Sequence, residues 1–489
     1  MAGRTAGGGG AIMAKEGDMF RNQKRFRLRI LLALLGGLGL VLVASGVMRA
    51  MAASQQPTSQ GEHDEPPFDD IVDDYSEDLF EDGRDIFRFD TFGSEGFYGD
   101  VLRLHDAIKG EALGGVGPGV SPATALAVGL KVDLNALPAE LVSALKRGQV
   151  DLDDPAVTVA LLQLDAVVGV DGVFDRQGEL VSLGITCALC HSTVDDELAP
   201  GIGRRLDGWA NQDLNVGAII SLAPGREAIA DRLHVDVPTL DMVLATWGPG
   251  KFDAEVLHDG KALRPDGGSA ATIIPPAFGL AGVNLHTWTG FGSVPYWNAY
   301  VANTQMRGQG TFFDPRLNDP EQFPLAVESG DWNKRSDPDL VTSKLGPLHY
   351  YQISIPAPAP PRGVIDQEAA ERGEELFMGQ AQCSSCHVPP LYMEPGYSMH
   401  TPEEMGIDDF QANRSPDGMY RTAPLKGLWT HMKRGFYHDG RFETLLDVIN
   451  HYNDHFDLGL DESQKADLVE YLISLGDVRV KDVGNFPLP

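Results

Sequence analysis

Apolar residues recur along this chain in short runs broken by turns, with few long amphipathic stretches. Residues 141–145 and 156–164 have the spacing of short helices, and 170–183 places turn residues (Asp171-Gly172, Gln177-Gly178) between apolar runs, which predicts a hairpin. Further on, Gly and Pro interrupt the pattern often, as in Trp247-Gly-Pro-Gly250 and Ile274-Pro-Pro276, so short helices and long loops are expected. Ile355-Pro-Ala-Pro-Ala-Pro-Pro361 is too rich in proline for helix or central strand and reads as an extended connector, the best domain boundary in the chain. Beyond it, Asp366 can cap a helix with Ala369, Gly373, Leu376 and Phe377 on one face. Near the end, Asp461 and Gln464 make a capping-box start to a helix that aligns Leu468, Leu472 and Leu475.

The first 85 residues differ in kind. Lys15, Arg21, Lys24, Arg25, Arg27 and Arg29 precede an uncharged stretch, 30–48, and Ala50-Met51-Ala52 offers a small-residue cleavage site. This predicts export, either through a cleaved signal peptide or with the stretch retained as a membrane anchor, its positive flank inside. Residues 54–85 are polar and strongly acidic and read as a solvated tether, with order beginning near Ile86, where Phe87, Phe89, Phe92, Phe97 and Tyr98 appear. The formal charge of −31 repels nucleic acid and anionic lipid and would suit a basic redox protein, although a solvated acidic surface with no partner is the commoner reason for such a charge.

All four cysteines fall in two copies of one pattern, Cys187-Ala-Leu-Cys190-His191 and Cys383-Ser-Ser-Cys386-His387. C-x-x-C-H is the attachment site of c-type haem: two thiols on one turn add to the haem vinyl groups, and the adjacent imidazole reaches the iron. A zinc ribbon would place its pairs roughly 15–20 residues apart, far closer than these. Two covalent haem c groups are therefore expected, with His191 and His387 as iron ligands. Helices bracketing the second motif are cytochrome c architecture. The expected fold is mainly α, with two cytochrome c-like haem domains, the first enlarged by loops and a small β element. Its parts are a leader or anchor (1–52), an acidic tether (53–85), an N-terminal haem domain (86–355), a Pro-rich linker (356–365) and a C-terminal cytochrome domain (366–489). No repeat besides the haem motif is apparent.

Glu371-Arg-Gly-Glu-Glu-Leu-Phe377 ahead of the second motif, then Tyr420-Arg-Thr-Ala-Pro-Leu-Lys-Gly-Leu428 and Phe436-Tyr-His-Asp-Gly-Arg-Phe-Glu-Thr-Leu445, resembles the C-terminal domain of bacterial di-haem cytochrome c peroxidases and of MauG. The likeness covers about residues 366–476. The N-terminal half shares only its haem motif and its order in the chain, and that motif follows a hairpin-like stretch in place of a Gly-x-x-x-Phe helix. The resemblance implies a C-terminal haem that relays electrons and an N-terminal haem open to hydrogen peroxide or dioxygen. It places the distal ligand of the second iron fourteen residues after His438, at Tyr452, with His451 adjacent. Met399, His400, Met419 and Met432 remain alternatives, and Tyr452 could instead simply pack on the haem edge. Tyrosine or histidine would lower the iron potential relative to methionine. The family's calcium ion loses support, because Lys433 and Gly435 stand where a threonine and a proline are expected.

For the first iron no distal ligand carries over. His105, His234, His258 and His286 are candidates, and an open site is the default. Peroxide cleavage also needs a group that moves a proton between the oxygens, for which Asp253 and Glu255 are nominated. Trp209, Trp247, Trp288 and Trp297 compete for a place between the haems. Three functions follow: a peroxidase-like or MauG-like periplasmic oxidoreductase supplied by a small redox protein or a quinol-linked donor; an electron carrier with both irons saturated; or an oxygenase with a pocket in the long first domain.

Overall fold

The computed structural model describes residues 67–479. The leader, the first part of the tether and the last ten residues lie outside the described residues. The longer elements are α1 (Phe68–Phe89), β1 (Val170–Phe174), β2 (Leu180–Ile185), α2 (Val237–Trp247), α3 (Leu345–Ser354), α4 (Gln367–Met378), α5 (Leu445–His455) and α6 (Glu462–Ser474). Short helices and two-stranded ribbons fill the rest. Among the described residues no helix is long and apolar enough to cross a membrane.

The acidic segment is the main correction. Residues 68–85 are helical and belong to α1, where a tether was expected. Its carboxylates face water, while Phe80, Ile86 and Phe87 enter a core with Leu348 and Tyr351 of α3. A dense acidic run hid a helical spacing that only a partner helix makes useful.

That partnership exposes a second repeat. α1 crosses α3 at Gly83, where a Cβ would lie 2.0 Å from the Pro347 carbonyl and 2.7 Å from Tyr351 Cβ. α4 crosses α6 at Gly373, where a Cβ would lie 2.1 Å from the Asp467 carbonyl and 2.7 Å from Tyr471 Cβ. In each pair the glycine allows backbone-to-backbone approach, and a phenylalanine four residues on meets the tyrosine of the partner. Phe87 and Tyr351 have ring centroids 5.5 Å apart, and Phe377 and Tyr471 5.3 Å. The Gly-x-x-x-Phe helix thus exists in both halves; the first copy, Gly83 to Phe87, stands about a hundred residues before its cysteines.

Local expectations hold elsewhere. The hairpin forms and turns at 175–178, with Val170 opposite Ile185 and a bulge at Val173/Phe174, while Asp171 and Gly172, expected as turn residues, lie within β1 opposite Gly184 and Leu183. Short helices span Ala139–Lys146 and Pro155–Gln163. Asp366 accepts from Glu368 and Ala369 amides, and Asp461 and Gln464 complete a capping box. The proline-rich connector is extended, and Pro358–Ala359 pairs in parallel with Val478–Arg479.

Gly373→Ala should force α4 and α6 apart at a cost of about 1–3 kcal/mol, read as a lower urea midpoint. Gly346→Ala, where a Cβ meets nothing within 4 Å, should leave the midpoint unchanged or raised. Equal midpoints for the two variants would contradict the close crossing.

Candidate functional site

The first cysteine motif sits where the hairpin ends. From β2 the chain passes Thr186, whose hydroxyl donates to the Arg88 carbonyl at 3.0 Å and ties the motif to α1. One turn, Ala188–His191, then brings Cys187, Cys190 and His191 to the wall of a cavity of about 260 Å³. That is some twenty times the space one water needs. Most of its lining is apolar, including Leu183, Ile219, Ile220 and Trp297. The His191 Nδ1–H donates to the Pro275 carbonyl at 3.1 Å, which leaves the Nε2 lone pair free. Burial holds this imidazole at about 4, so it is neutral, and raises both thiols to about 12. No disulfide joins any of the four cysteines.

One polar group in the cavity wall stands out. Glu255 is 6% exposed, and its Oε2 has no hydrogen-bond partner. Burial raises its carboxyl to about 7; Arg414 pulls it down, and Asp253 and Asp259 push it up. Gln305 and Gln411 share the wall, each with an unpartnered Oε1. Behind them Arg414 is wholly buried. It donates to Asp259 at 2.7 and 3.1 Å, to Asp253 at 2.8 Å and to the Ala270 carbonyl at 3.0 Å. Burial opposes its charge, yet Asp253 and Asp259 outweigh that and hold the guanidinium above its ordinary value. Asp253 is thus committed to an ion pair, and Glu255 alone of the two nominated acids lines the cavity.

The histidines separate as clearly. His234 is exposed and pairs with Glu328 at 2.9 Å, His105 lies beside Asp106, and His258 is bonded to Tyr300. None of the three lines the cavity. His286 does, and its ring is held well below the ordinary value by burial, Arg421 and His191. Of the tryptophans, Trp288 and Trp297 line the cavity and Trp247 packs against Phe252. Trp209 follows the backbone bonded to His191 and enters the other core, 5.4 Å from Trp429.

The second motif lies between α4 and a loop. Gln382 takes φ +53° to turn the chain into Cys383–Ser385. His387 repeats the first arrangement, its Nδ1–H donating to the Tyr392 carbonyl at 3.1 Å and its ring held at about 4 by burial. Tyr452, on α5, is close enough for Cys386 and Cys383 to bear on its hydroxyl, which burial above all raises to about 12. The neighbouring His451 is engaged at Nε2 with the Met405 carbonyl, 3.0 Å away, and His400 has both nitrogens on glutamates, Glu394 at 2.5 Å and Glu404 at 3.0 Å. Met432 packs in the same core as Cys383. His438 stacks on Tyr420, and its carbonyl accepts from the Ile273 amide at 2.7 Å, so the His-Asp-Gly loop abuts a ribbon of the cavity wall. Lys433 pairs with Asp213.

Two thiols and a neutral imidazole with a free Nε2, beside a large apolar cavity, are a donor set that suits a haem. Sequence reading missed Arg414, Gln411 and the Tyr300–His258 pair. An arginine in a polar loop carries no sign that it will be buried 155 residues away from its partner Asp259.

No family model matches the chain, and no curated protein does. Among solved structures, hydrazine synthase of Kuenenia stuttgartiensis is 18% identical, covering 44% of this chain and 75% of its own, with a TM-score of 0.25. A MauG-like protein associated with microbial copper homeostasis is 17% identical, covering 45% of this chain and 77% of its own, with a TM-score of 0.29. At those scores fold and function have to be read from the chain's own residues.

Arg414→Leu leaves Asp253 and Asp259 buried without their cation. The loss should be about 3–5 kcal/mol, measured as a denaturant midpoint, with partial recovery when Asp253→Asn and Asp259→Asn are added. A loss below about 1 kcal/mol, the size of an exposed pair, would contradict the burial.

Proposed function

We propose that this chain is an exported di-haem c-type oxidoreductase, in which a haem at the second motif relays electrons and a haem at the first reacts with peroxide or dioxygen. The observation that carries the reading is the repeated arrangement: a Gly-x-x-x-Phe helix crossing, two thiols and a histidine whose Nδ1–H is spent on a carbonyl, once in each half. Cys187, Cys190 and His191 would hold one haem; Cys383, Cys386 and His387 would hold the other, with Tyr452 opposite His387. Bound haem supplies the redox chemistry of iron. Trp209, next to the backbone bonded to His191, and Trp429 are in ring contact within the core that holds Cys383. The acidic surface suits a small basic electron donor, and the basic leader suits export to the periplasm.

The chain's own part in the reaction falls to Glu255. Its carboxyl titrates near 7, where a group that accepts and then returns a proton is most effective. As the carboxylate it takes the proton from peroxide entering the cavity. As the acid it hands that proton to the other oxygen, which leaves as water when the O–O bond breaks with two electrons that a bound haem would supply. The wall around it is mostly apolar and offers few other groups to take that proton. His286 supports a second reading, because a histidine in the cavity wall could saturate the first iron and leave an electron carrier.

With both haems loaded, the rate of peroxide oxidation should rise with pH through about 7, since the ionised carboxylate is the competent form. Glu255→Gln should lower that rate about 10²-fold or more and flatten the profile, as read by stopped-flow absorbance. Two low-spin haems inert to peroxide and cyanide in the oxidised and half-reduced protein would overturn the enzymatic reading and leave the carrier.

A further inference from the structure

A line of aromatic rings leads away from the cavity along the helix Val294–Tyr300. Trp297 lines the cavity, and its ring centroid is 5.0 Å from that of Tyr300. Tyr300 stacks on Tyr296 at 6.1 Å with 19° between the planes. Each phenol faces a base. The Tyr300 hydroxyl donates to His258 Nδ1 at 2.6 Å, and the Tyr296 hydroxyl donates to Asp314 Oδ2 at 2.6 Å. On its far side His258 Nε2 lies 3.4 Å from Asp331, a carboxylate also contacted by Arg232 at 2.6 Å and Arg307 at 3.0 Å.

Packing alone does not call for this arrangement. Phenylalanine at 300 would fill the space without burying a hydroxyl, and His258 would then need no place in the core. Trp297 Nε1 is buried with no acceptor, a cost that an aromatic without an N–H would avoid. What the three residues share is oxidisable side chains in contact, with proton acceptors in line. Asp331 favours an imidazolium at His258, against burial and the charges of Arg307 and Arg232, which together hold the resting ring below its ordinary value.

We infer that Tyr300 is a redox-active residue, oxidised by way of Trp297 by a haem bound in the cavity while His258 takes its proton, and that Tyr296 carries the oxidising equivalent onward to the partly exposed face of this helix. The inference rests on the reading of the cavity as a haem site. In the first step one electron leaves Tyr300 for a haem already oxidised by peroxide. The O–H bond breaks, and an N–H bond forms at His258 Nδ1. The products are a neutral tyrosyl radical, an imidazolium facing Asp331 and a haem reduced by one electron. In the second step Tyr296 gives one electron to that radical, His258 returns the proton to Tyr300, and the proton of Tyr296 passes to Asp314.

The test uses the haem-loaded full chain, mixed with hydrogen peroxide and freeze-quenched for EPR while haem absorbance is followed in parallel. The parent should show an organic radical that narrows when the protein is made with ring-deuterated tyrosine. Tyr300→Phe, with haem content and circular dichroism unchanged, should lose that signal although its haem is still oxidised. Trp297→Phe should delay its appearance, and His258→Gln should reduce its yield. Haem that is oxidised while the same radical forms in Tyr300→Phe as in the parent overturns this inference alone. Haem absorbance that peroxide leaves unaltered overturns the functional reading and this inference with it, because no oxidant would then reach Tyr300.

Discussion

The guanidinium of Arg414, taken wholly out of water between Asp253 and Asp259, is the contact on which the arrangement of the cavity turns. A buried ion pair of this kind contributes little net stability, because desolvation offsets most of the attraction, but losing one partner leaves a bare charge in the interior. Its consequence is therefore positional. It pins a loop from the last quarter of the chain against the segment that carries Glu255, and it sets the field in which Glu255 titrates. Without Arg414, three buried carboxyls would have to share one small region, and their mutual repulsion would keep Glu255 protonated well above neutrality.

The helix crossings at Gly83 and Gly373 do for each motif what Arg414 does for the cavity wall. Each lets two helices approach at backbone distance and builds a core from phenylalanine and tyrosine that extends to the cysteine motif. Ala188 and Cys187 join the first core, and Cys383 joins the second. The two motifs are thereby fixed to rigid elements while the groups that differ between them come from other segments, loop residues at the first and α5 at the second. Glu255 and His286 share the cavity wall with the first, and Tyr452 lies beside the second. Two similar frames can in this way present different surroundings to similar ligands, which is how a protein tunes otherwise alike redox centres.

How much of this was legible follows from how local each signal is. The hairpin, the caps at Asp366 and Asp461 and the extended connector depend on neighbours within a few residues, and each formed, the hairpin turning at the second of its two expected turns. α1 was missed because its acidic composition outweighed three apolar positions whose partner, α3, is some 260 residues away. With α1 went Gly83 and the internal repeat. Glu255 was nominated together with Asp253, and only the fold separates them, one to the cavity and one to an ion pair. Burial of Arg414 and the bond from Tyr300 to His258 are long-range facts that no spacing rule contains.

The central claim is that both cysteine motifs bind haem. The most direct measurement is a pyridine haemochrome assay with protein quantitation, on full-length chain produced alongside haem c maturation machinery. The account predicts two haems per chain, one when Cys187 and Cys190 are both replaced by Ala, and one when Cys383 and Cys386 are. A parent ratio of one, or a ratio that either double replacement leaves unchanged, would contradict it.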